Sequence, residues 1–237
     1  MTTNLTTLFS IITLLSLFTA CSAASGKKKL IAKDDFDKDL SHWVVEQMTG
    51  GTTKITDGKL VIEDAKGCTV WFKKKLSGNI MIQYDATLIK NDGPYDRVSD
   101  LNCFWMAVDP KNPDDIFADK SRGGAFKNYH PLRLYYVGYG ANKNTTTRFR
   151  RYPGGGERPN LAEHDLSDKK FMHTPNKTIH IQIISEKGRV RYLRDGEVVF
   201  DFHDKEPFTE GWFGFRTVHN HLQIDNFRVY QLPTISK

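Results

Sequence analysis

An arginine-rich stretch is the first feature of the sequence that suggests chemistry. The letters TTTRFRRY form a run of strand-forming residues interrupted by three arginines. Because side chains alternate along a strand, Arg148, Arg150 and Tyr152 share one face. Phe149 and Arg151 share the opposite face. A strand that buries Phe149 therefore presents two guanidiniums side by side, and a planar guanidinium binds both oxygens of a carboxylate. A solvated strand face, on which the arginines only meet acidic residues or cover aromatic rings, is the alternative.

A pair of arginines in this arrangement suits the chemistry of a uronic acid. Elimination from a uronate begins with removal of the proton on the carbon beside the carboxylate, and the intermediate places a second negative charge on that carboxylate. An enzyme for this reaction needs a cation that holds the carboxylate, a base for the proton and an acid for the departing oxygen. We therefore expect Arg148 and Arg150 to bind a substrate carboxylate.

Two histidine-bearing motifs supply candidates for the base and the acid. In TVHNHLQ, His219 and His221 fall on one strand face if the strand is regular, and they suit a proton shuttle, a pair of metal ligands or a polar hairpin tip. The metal interpretation lacks a clear third ligand besides Asp225, so we predict His219 as a proton-transfer residue and no metal or other cofactor. In PNLAEHDL, His164 lies between two acidic residues that can orient an imidazole. We predict His164 as a second catalytic candidate, and a surface loop of mixed charge is the alternative. His130, before Pro131, is a weaker candidate still.

The strand LRLYYVGYG supplies a further group of candidates. Alternation puts Tyr135 and Tyr139 on one face and Tyr136 on the other. A tyrosine serves as acid or base in a sugar elimination where nearby cations favour its phenolate. We predict Tyr135 as catalytic and Tyr139 as substrate-binding, with sugar stacking and core packing as the alternatives. Asn102 and Arg216, each on a strand face opposite aromatic residues expected in the core, complete the predicted substrate-binding set.

These candidates need a scaffold of strands. Short apolar or alternating runs recur from KLIAKDDF to LQIDNFRVY, and helical periodicity is nearly absent. Turn-forming pairs separate several of the runs, among them Asp57-Gly58, Lys187-Gly188 and Asp195-Gly196. Many short strands at regular spacing predict an all-β sandwich of two antiparallel sheets. Residues 90–100, 109–131 and 153–176 do not read as strands, and we expect them to gather over one face or edge as functional loops.

The composition restricts the class of partner. The net charge is +6 and the pI is about 9.1, which suits an acidic partner. Neither a basic helix nor zinc-finger spacing supports nucleic acid, so we expect an acidic polysaccharide and no obligate protein partner. Cys68 and Cys103 each lie in an apolar strand-like run, where a disulfide and two buried free thiols are both compatible with the sequence.

The N-terminal residues read as a targeting signal. Residues 5–20 form an uncharged apolar run, too short for a confident membrane span. The ending FTAC resembles a bacterial lipobox, which would make Cys21 the lipidated N-terminus. We expect residues 1–20 to be the signal peptide, 21–29 a lipidated linker and 30–237 a catalytic domain. The KKK that follows lacks an acidic run, so we expect an anchor in the outer membrane that faces the periplasm. An ordinary signal peptide cut nearby is the alternative.

Several motifs carry a resemblance to known proteins. DDFDKDLSHWVVE, DGKLVIED, KGRVRYLRDGEVVFDF and GWFGFRTVHNHLQIDNFRVY resemble a concanavalin A-like jelly roll, in which the last strand pairs beside the first. FWMAVDP, LRLYYVGYGANKNTTTRFRRY, RPNLAEHDL and GFRTVHNH resemble exported, often lipidated proteins of glycan-degrading bacteria, among which the ulvan oligosaccharide dehydratase is the nearest suggestion. The resemblance implies a jelly roll over residues 30–232 with long loops over one face. It assigns no catalytic residue.

Three functions fit the sequence. The resemblance implies a carbon–oxygen lyase, a dehydratase that removes water from a sugar at the non-reducing end of an acidic oligosaccharide. A polysaccharide lyase would use the same elimination but expel a sugar. A non-catalytic glycan-binding module predicts exposed aromatic residues and no acid or base, and the tyrosines and tryptophans of the sequence fit it as well.

Overall fold

The computed structural model describes residues 27–233. The predicted signal peptide and Cys21 lie outside these residues, and so does most of the predicted linker. Within the described part, no helix is long and apolar enough to cross a membrane. The chain forms these strands: β1 (Lys29–Asp34), β2 (Trp43–Gln47), β3 (Thr52–Thr56), β4 (Lys59–Asp64), β5 (Cys68–Phe72), β6 (Leu76–Ser77), β7 (Ile80–Leu88), β8 (Leu101–Val108), β9 (Arg133–Gly140), β10 (Thr146–Pro153), β11 (Asp165–Leu166), β12 (Thr178–Glu186), β13 (Arg189–Arg194), β14 (Glu197–His203), β15 (Glu210–Thr217) and β16 (Asn220–Gln231).

The strands form two eight-stranded antiparallel sheets, which confirms the predicted sandwich. The back sheet has the order β14-β13-β12-β7-β16-β4-β3, with β1 also beside β16. The front sheet has the order β11-β10-β9-β8-β15-β5-β2, with β6 also beside β15. The first and last strands pair as the jelly-roll resemblance implies, with Lys29 opposite Gln231.

Local turn chemistry explains three of the hairpins. Asp57, Lys187 and Asp195 all have positive φ, and each is followed by a glycine that also has positive φ. Two consecutive left-handed residues make the type I′ turn, whose twist matches that of the strands it joins. The turns therefore fix the registers of β3 with β4, β12 with β13 and β13 with β14.

Burial follows two different patterns in the two sheets. In β12 of the back sheet, Ile179, Ile181 and Ile183 are buried and the residues between them are partly exposed, which is the alternation of a half-buried strand. In β8 of the front sheet every residue is buried. One face of β8 meets the core between the sheets, while Phe104 on the other face lies beneath a loop. The front sheet is therefore covered on both sides over part of its width.

Residues 109–132, here called the covering segment, supply that second layer. Ile116, Tyr129 and Leu132 pack against Trp71 and Phe104 on the outer face of the front sheet. Burying a large apolar side chain of this kind stabilises a fold by about 1.5–3 kcal/mol. The covering segment is therefore a packed layer of the domain, in line with the expectation that the long segments gather over one face.

The structure decides the state of the two cysteines. Cys68 and Cys103 are buried and free. Burial raises the pKa of each thiol to about 12, so both stay protonated at neutral pH. Of the two possibilities that the sequence allowed, the structure has the free thiols.

Candidate functional site

The register of the front sheet places the predicted arginines on its outer face. Arg148 on β10 lies opposite Gly138 on β9, and Gly138 lies opposite Asn102 on β8. Two residues further along β10, Arg150 lies opposite Tyr136 on β9. The arginines therefore share a face with Tyr136, which the alternation of LRLYYVGYG sets apart from Tyr135.

These side chains line a cleft of about 290 Å³. It is called the arginine cleft below and is lined by Asp100, Phe126, Tyr136, Gly138, Ala141, Asn142, Arg148, Arg150, Tyr152, Arg158 and Val218. Arg148, Arg150 and Tyr152 all face this cleft, as the alternation predicts. Arg151 points away from it and donates from Nε to Asp204 Oδ2 at 2.7 Å.

Two arginines of the cleft are free of acidic partners. Among residues 27–233, Arg150 and Arg158 take part in none of the ion pairs, whereas Arg148 donates from Nε to Asp165 Oδ1 at 2.6 Å. Within the described part of the chain, Arg150 Nη1 reaches only the Arg158 carbonyl, at 3.4 Å, and Arg150 Nε is buried without a hydrogen-bond partner. Because its positive charge has no acidic partner among residues 27–233 and its side chain lines the cleft, this guanidinium is suited to receive an anion from outside the chain.

Two further polar groups near Arg150 are buried without hydrogen-bond partners from residues 27–233. They are the Tyr152 hydroxyl and His130 Nε2. Burial raises the pKa of Tyr152, while the positive charges of Arg150 and Arg158 act in the opposite direction. Burial lowers the pKa of His130, and Arg158 and Arg150 lower it further. At neutral pH the cleft therefore has a neutral phenol beside its guanidiniums, and the neutral imidazole of His130 lies near these arginines without lining the cleft.

The glycine in the middle of β9 makes room for Tyr136. A Cβ atom at Gly138 would lie 2.6 Å from the Tyr136 hydroxyl oxygen, so the tyrosine lies over the space that a side chain at Gly138 would take. Burial raises the pKa of Tyr136 well above the usual tyrosine value. Tyr136 is a neutral hydroxyl on the floor of the cleft.

The covering segment forms one wall of the cleft and is fixed by a buried carboxylate. Glu46 on β2 accepts hydrogen bonds from Trp71 Nε1 at 3.0 Å, Tyr129 Oη at 2.6 Å and Arg122 Nη2 at 2.8 Å. Only 1% of the Arg122 side chain is exposed, so the ion pair lies in the interior. Phe126, between these contacts in the chain, therefore has a fixed place at the edge of the cleft.

The tyrosines predicted as catalytic and substrate-binding lie on the other side of the sheet. Tyr135 and Tyr139 belong to the core between the two sheets. The Tyr135 hydroxyl donates to Asp204 Oδ2 at 2.6 Å, and the Tyr139 hydroxyl accepts a hydrogen bond from Arg194 Nη1 at 2.6 Å. Neither reaches the arginine cleft. Both faces of β9 bear tyrosines, and Tyr135 and Tyr139 are on the face that packs inside the sandwich, whereas Tyr136 is on the outer face.

His219 is also placed differently from the expectation. β15 ends at Thr217 and β16 begins at Asn220, so the regular strand assumed for TVHNHLQ is broken by a turn. His219 has φ +45°, and its Nδ1 lies 3.2 Å from the Ala65 carbonyl oxygen. His221 Nδ1 lies 2.9 Å from Asp96 Oδ1 instead. The two histidines therefore do not share a face.

The remaining sequence candidates lie near the cleft but do not line it. His164 is buried against Phe149 in a separate pocket of about 180 Å³, and burial lowers its pKa. Arg216 is on the outer face of the front sheet, where Nη1 donates to Thr69 Oγ1 at 3.3 Å and also to the Gly124 carbonyl. Asn102 is buried and donates to Asp100 Oδ1 at 3.2 Å.

Tyr136, Tyr152 and Arg158 were not among the site residues predicted from sequence, and His130 was only a weaker candidate. Tyr136 and Tyr152 follow from the alternation that placed the arginines, once the buried face of the strand is known. Arg158 lies in the irregular segment after PGGG, and His130 in the covering segment. Neither segment has a periodic pattern that indicates where its side chains point. Within residues 27–233, no group of three or more His, Cys, Asp or Glu side chains could hold a metal ion.

Comparisons with known proteins identify a family and a fold. Residues 62–227 match the family model described as Domain of unknown function (DUF6250). No curated protein matches the chain. Among solved structures, the chain is similar to a protein of unknown function with a galectin-like fold from Bacillus subtilis, at 18% identity and a TM-score of 0.67. That match covers 86% of this chain and 97% of the other.

Two carbohydrate-recognising proteins have similar structures. The carbohydrate-binding module CBM66 from Bacillus subtilis is 17% identical with a TM-score of 0.54, and the match covers 80% of this chain and 96% of that one. The exoplasmic/lumenal domain of VIP36, solved in a Ca²⁺/Man3GlcNAc-bound form, is 12% identical with a TM-score of 0.59, and the match covers 88% and 92% of the two chains. At such identities the likeness establishes the jelly-roll fold alone.

Proposed function

The chain belongs to the family described as Domain of unknown function (DUF6250), and we propose that it binds an acidic glycan in the arginine cleft. The observation that carries this proposal is the pair of guanidiniums of Arg150 and Arg158, which have no acidic partner among the described residues, with Arg150 Nε buried and unpartnered. A carboxylate or sulfate group of a sugar would supply the missing acceptors. The similar fold of CBM66 supports a carbohydrate as the ligand.

Recognition in this site rests on charge more than on stacking. All four tryptophans are buried, with at most 4% of any of them exposed. The aromatic rings that line the cleft are Phe126, Tyr136 and Tyr152, and the last two are themselves buried. The exposed aromatic platform that a stacking glycan-binding module predicts is therefore not found among residues 27–233, and the acidic group of the sugar becomes the main determinant.

The test compares acidic oligosaccharides with otherwise identical ones whose carboxylates have been reduced to alcohols. We expect calorimetric titration to detect binding of the acidic form only. Replacing Arg150 with alanine should weaken it about 10- to 100-fold, the range for a hydrogen bond to a charged group. Equal affinity for acidic and reduced forms, or unchanged affinity in Arg150→Ala, would contradict the proposal.

A second candidate function is elimination from the bound uronate, and one observation favours it. Among residues 27–233, the Tyr152 hydroxyl is an unpartnered group of the cleft that is able to exchange protons near Arg150, and the unpartnered His130 Nε2 is a second such group near these arginines, outside the lining of the cleft. In the reaction, a base removes the proton beside the carboxylate, a carbon–carbon double bond forms, and the carbon–oxygen bond breaks as the leaving oxygen takes up a proton. Water would leave in an ulvan-type dehydratase, and a sugar would leave in a polysaccharide lyase.

One assay separates the two candidate functions. The protein is incubated with uronic-acid oligosaccharides, and mass is followed together with the absorbance of a new double bond. Loss of water indicates the dehydratase, chain scission indicates the polysaccharide lyase, and an unchanged substrate that still binds indicates the binding function alone. If elimination is observed, Tyr152→Phe should abolish turnover while the protein still binds the substrate. Full turnover in this variant would exclude the Tyr152 hydroxyl from proton transfer.

A further inference from the structure

A second cationic cleft lies close to the first. It has a volume of about 260 Å³ and is called the lysine cleft below. The residues that line it are Tyr139, Lys169, Lys170, Met172, His173, Thr174, Lys177, Ile179, Arg194 and Asp195. Four of these side chains are cationic and only one is acidic, so the cleft presents an excess of positive charge to solvent.

The positive charges of this cleft are weakly neutralised. Among residues 27–233, Lys169 and Lys177 take part in none of the ion pairs. Lys170 Nζ lies 3.9 Å from an Asp168 oxygen and Arg194 Nε lies 4.0 Å from an Asp195 oxygen, and the two carboxylates are 61% and 43% exposed. Pairs of that length at the surface contribute little, so the cations remain available to an outside anion.

The floor of the lysine cleft is ordered by buried contacts. Arg194 donates from Nη1 to the Tyr139 hydroxyl at 2.6 Å and to the Met172 carbonyl at 3.4 Å. His173 is 8% exposed, and its Nε2 lies 3.0 Å from the Tyr139 carbonyl oxygen. Since burial lowers the pKa of His173 to about 4, the ring is neutral at neutral pH and donates this hydrogen bond through Nε2–H. The lysines therefore surround a floor whose side chains, Tyr139, His173 and Arg194, are held in place by hydrogen bonds.

One turn separates the two clefts. Asn142 in the turn between β9 and β10 lines the arginine cleft. Asn144 in the same turn accepts a hydrogen bond from the His173 backbone N–H at 2.8 Å and donates one to its carbonyl at 3.0 Å, and His173 lines the lysine cleft. Asn142 and Asn144 are two residues apart in the chain, so their Cα atoms are separated by at most about 7.6 Å. Lys143, between the two asparagines, is exposed and extends the positive charge over the turn.

We propose that the lysine cleft is a second subsite for the acidic glycan, and that it binds an anionic group of a sugar further along the same chain, beyond the reach of a disaccharide held in the arginine cleft. The ligand class is thereby narrowed to chains that carry acidic groups on more than one sugar. This inference rests on the proposed function of the arginine cleft. A chain that crosses the turn would contact Lys143 and then reach Lys169, Lys177 and Arg194.

The experiment measures affinity as a function of chain length. A panel of uronate disaccharides and hexasaccharides of galacturonate, mannuronate and glucuronate is titrated against the full chain by calorimetry. We expect the hexasaccharide of the preferred glycan to bind about tenfold more tightly than its disaccharide, because two exposed ion pairs together amount to a factor of that order. The double variant Lys169→Ala/Lys177→Ala should lose this gain and keep the affinity for the disaccharide.

A charge-matched control excludes a general electrostatic effect. The double variant Lys38→Ala/Lys54→Ala removes two exposed lysines away from both clefts, with Lys54 on the edge strand β3. It should keep the gain with chain length. The subsite is overturned if the hexasaccharide has no advantage, or if both double variants lose it equally. If Arg150→Ala leaves disaccharide affinity unchanged, or if nothing in the panel binds, the proposed function fails and the subsite fails with it.

Discussion

At the scale of single residues, Arg150 concentrates the properties expected of an anion-binding group. Among residues 27–233, its Nε is buried without a partner and its one hydrogen bond is a long one to a carbonyl; the side chain faces the cleft beside Tyr136 and Tyr152. Arg148 faces the same cleft but already donates to Asp165, and this hydrogen bond is the largest cause that lowers the pKa of that carboxyl. The two arginines are therefore not equivalent, although the sequence treats them as a pair.

A substitution series tests this difference. We expect Arg150→Ala to weaken binding of an acidic sugar more than Arg148→Ala does, by about 1–2 kcal/mol, because part of the Arg148 charge is neutralised by Asp165. Arg150→Lys should restore little affinity, since an ammonium keeps the charge but loses the planar pair of donors. Calorimetric titration with a uronate oligosaccharide measures all three variants. Equal losses in the two alanine variants would show that the Asp165 partner has no influence.

Arg151 provides the control on the same strand. Its Nε donates to Asp204, whose side chain is only 5% exposed, and its Nη2 donates to the Glu206 carbonyl. Arg151→Ala should therefore destabilise the fold by about 1–3 kcal/mol, because Asp204 loses a charged donor, and leave affinity for the glycan near normal. Urea unfolding and titration on the same preparation separate the two effects. Loss of binding without loss of stability would mean that Arg151 faces the ligand.

At the scale of elements, the covering segment depends on the buried ion pair between Glu46 and Arg122. In Glu46→Gln the Arg122 guanidinium keeps its burial but loses its counter-charge, so we expect a loss of about 3 kcal/mol in unfolding free energy. Affinity should fall as well, because the segment supplies Phe126 to the wall of the cleft. Glu197→Gln, at an exposed position on β14, is the matched control and should change neither. Full stability in Glu46→Gln would show that the ion pair does not hold the segment.

Some turns and strand faces could be predicted from the sequence and others could not. The type I′ turns at Asp57, Lys187 and Asp195 have strong local signals, because each precedes a glycine between alternating strands. The turn at His219 has no such signal, since neither glycine nor proline marks it and the neighbouring residues read as strand. The side of β9 that faces the interior was also undetermined, because Tyr135 and Tyr136 are both buried, one between the sheets and one under the covering segment.

The residues of the candidate region that lie on irregular segments, Arg158 and His130, could not be placed from the sequence pattern for a related reason. Alternation relates residues within one strand and fixed the common face of Arg148 and Arg150. The position of Arg158 depends on the path of an irregular segment with three consecutive glycines, and the position of His130 depends on how the covering segment packs. Such paths are set by contacts distant in sequence, of which Glu46 with Arg122 is an example.

At the scale of the whole molecule, the buried His173 makes stability depend on pH. Its pKa falls from 6.5 to about 4 in the folded chain, because burial disfavours the charged ring. Between pH 6.5 and pH 4 the unfolded chain binds more protons at His173 than the folded chain does. The contribution of the neutral, buried His173 ring to the free energy of unfolding is therefore complete above about pH 6.5 and is lost as the pH falls towards 4. The loss amounts to about 3 kcal/mol at 1.36 kcal/mol per pKa unit.

Urea unfolding at pH 7 and pH 4.5 measures this dependence. The variant His173→Gln keeps a donor for the Tyr139 carbonyl but has no titratable ring, so its stability should change less between the two pH values. Part of the dependence should remain, because burial also lowers the pKa of His164 and of His130. An identical pH dependence in the variant and the parent protein would contradict the assignment to His173.

We also propose that the protein is an inward-facing lipoprotein of the outer membrane, attached through Cys21. The support is the apolar run that ends in FTAC, followed by KKK without an acidic run. Replacing Cys21 with serine should release a soluble protein, measured by partition between membrane and soluble fractions of the producing bacterium. The parent protein should stay with the membrane fraction. Recovery of the parent protein in the soluble fraction would refute the anchor.

The position of β16 has a consequence for when the chain folds. This strand comes last among the described strands, yet it lies inside the back sheet, with β7 along one edge and β4 and β1 along the other. In the back sheet, β1 and β4 therefore have no partner in common with β7 until residues 220–231 are present, whereas β5 and β8 of the front sheet already meet at β15. Pairing across such sequence separations is slow compared with local structure. While the chain is being synthesised, the back sheet would therefore stay divided between β7 and β4 until residues 220–231 emerge.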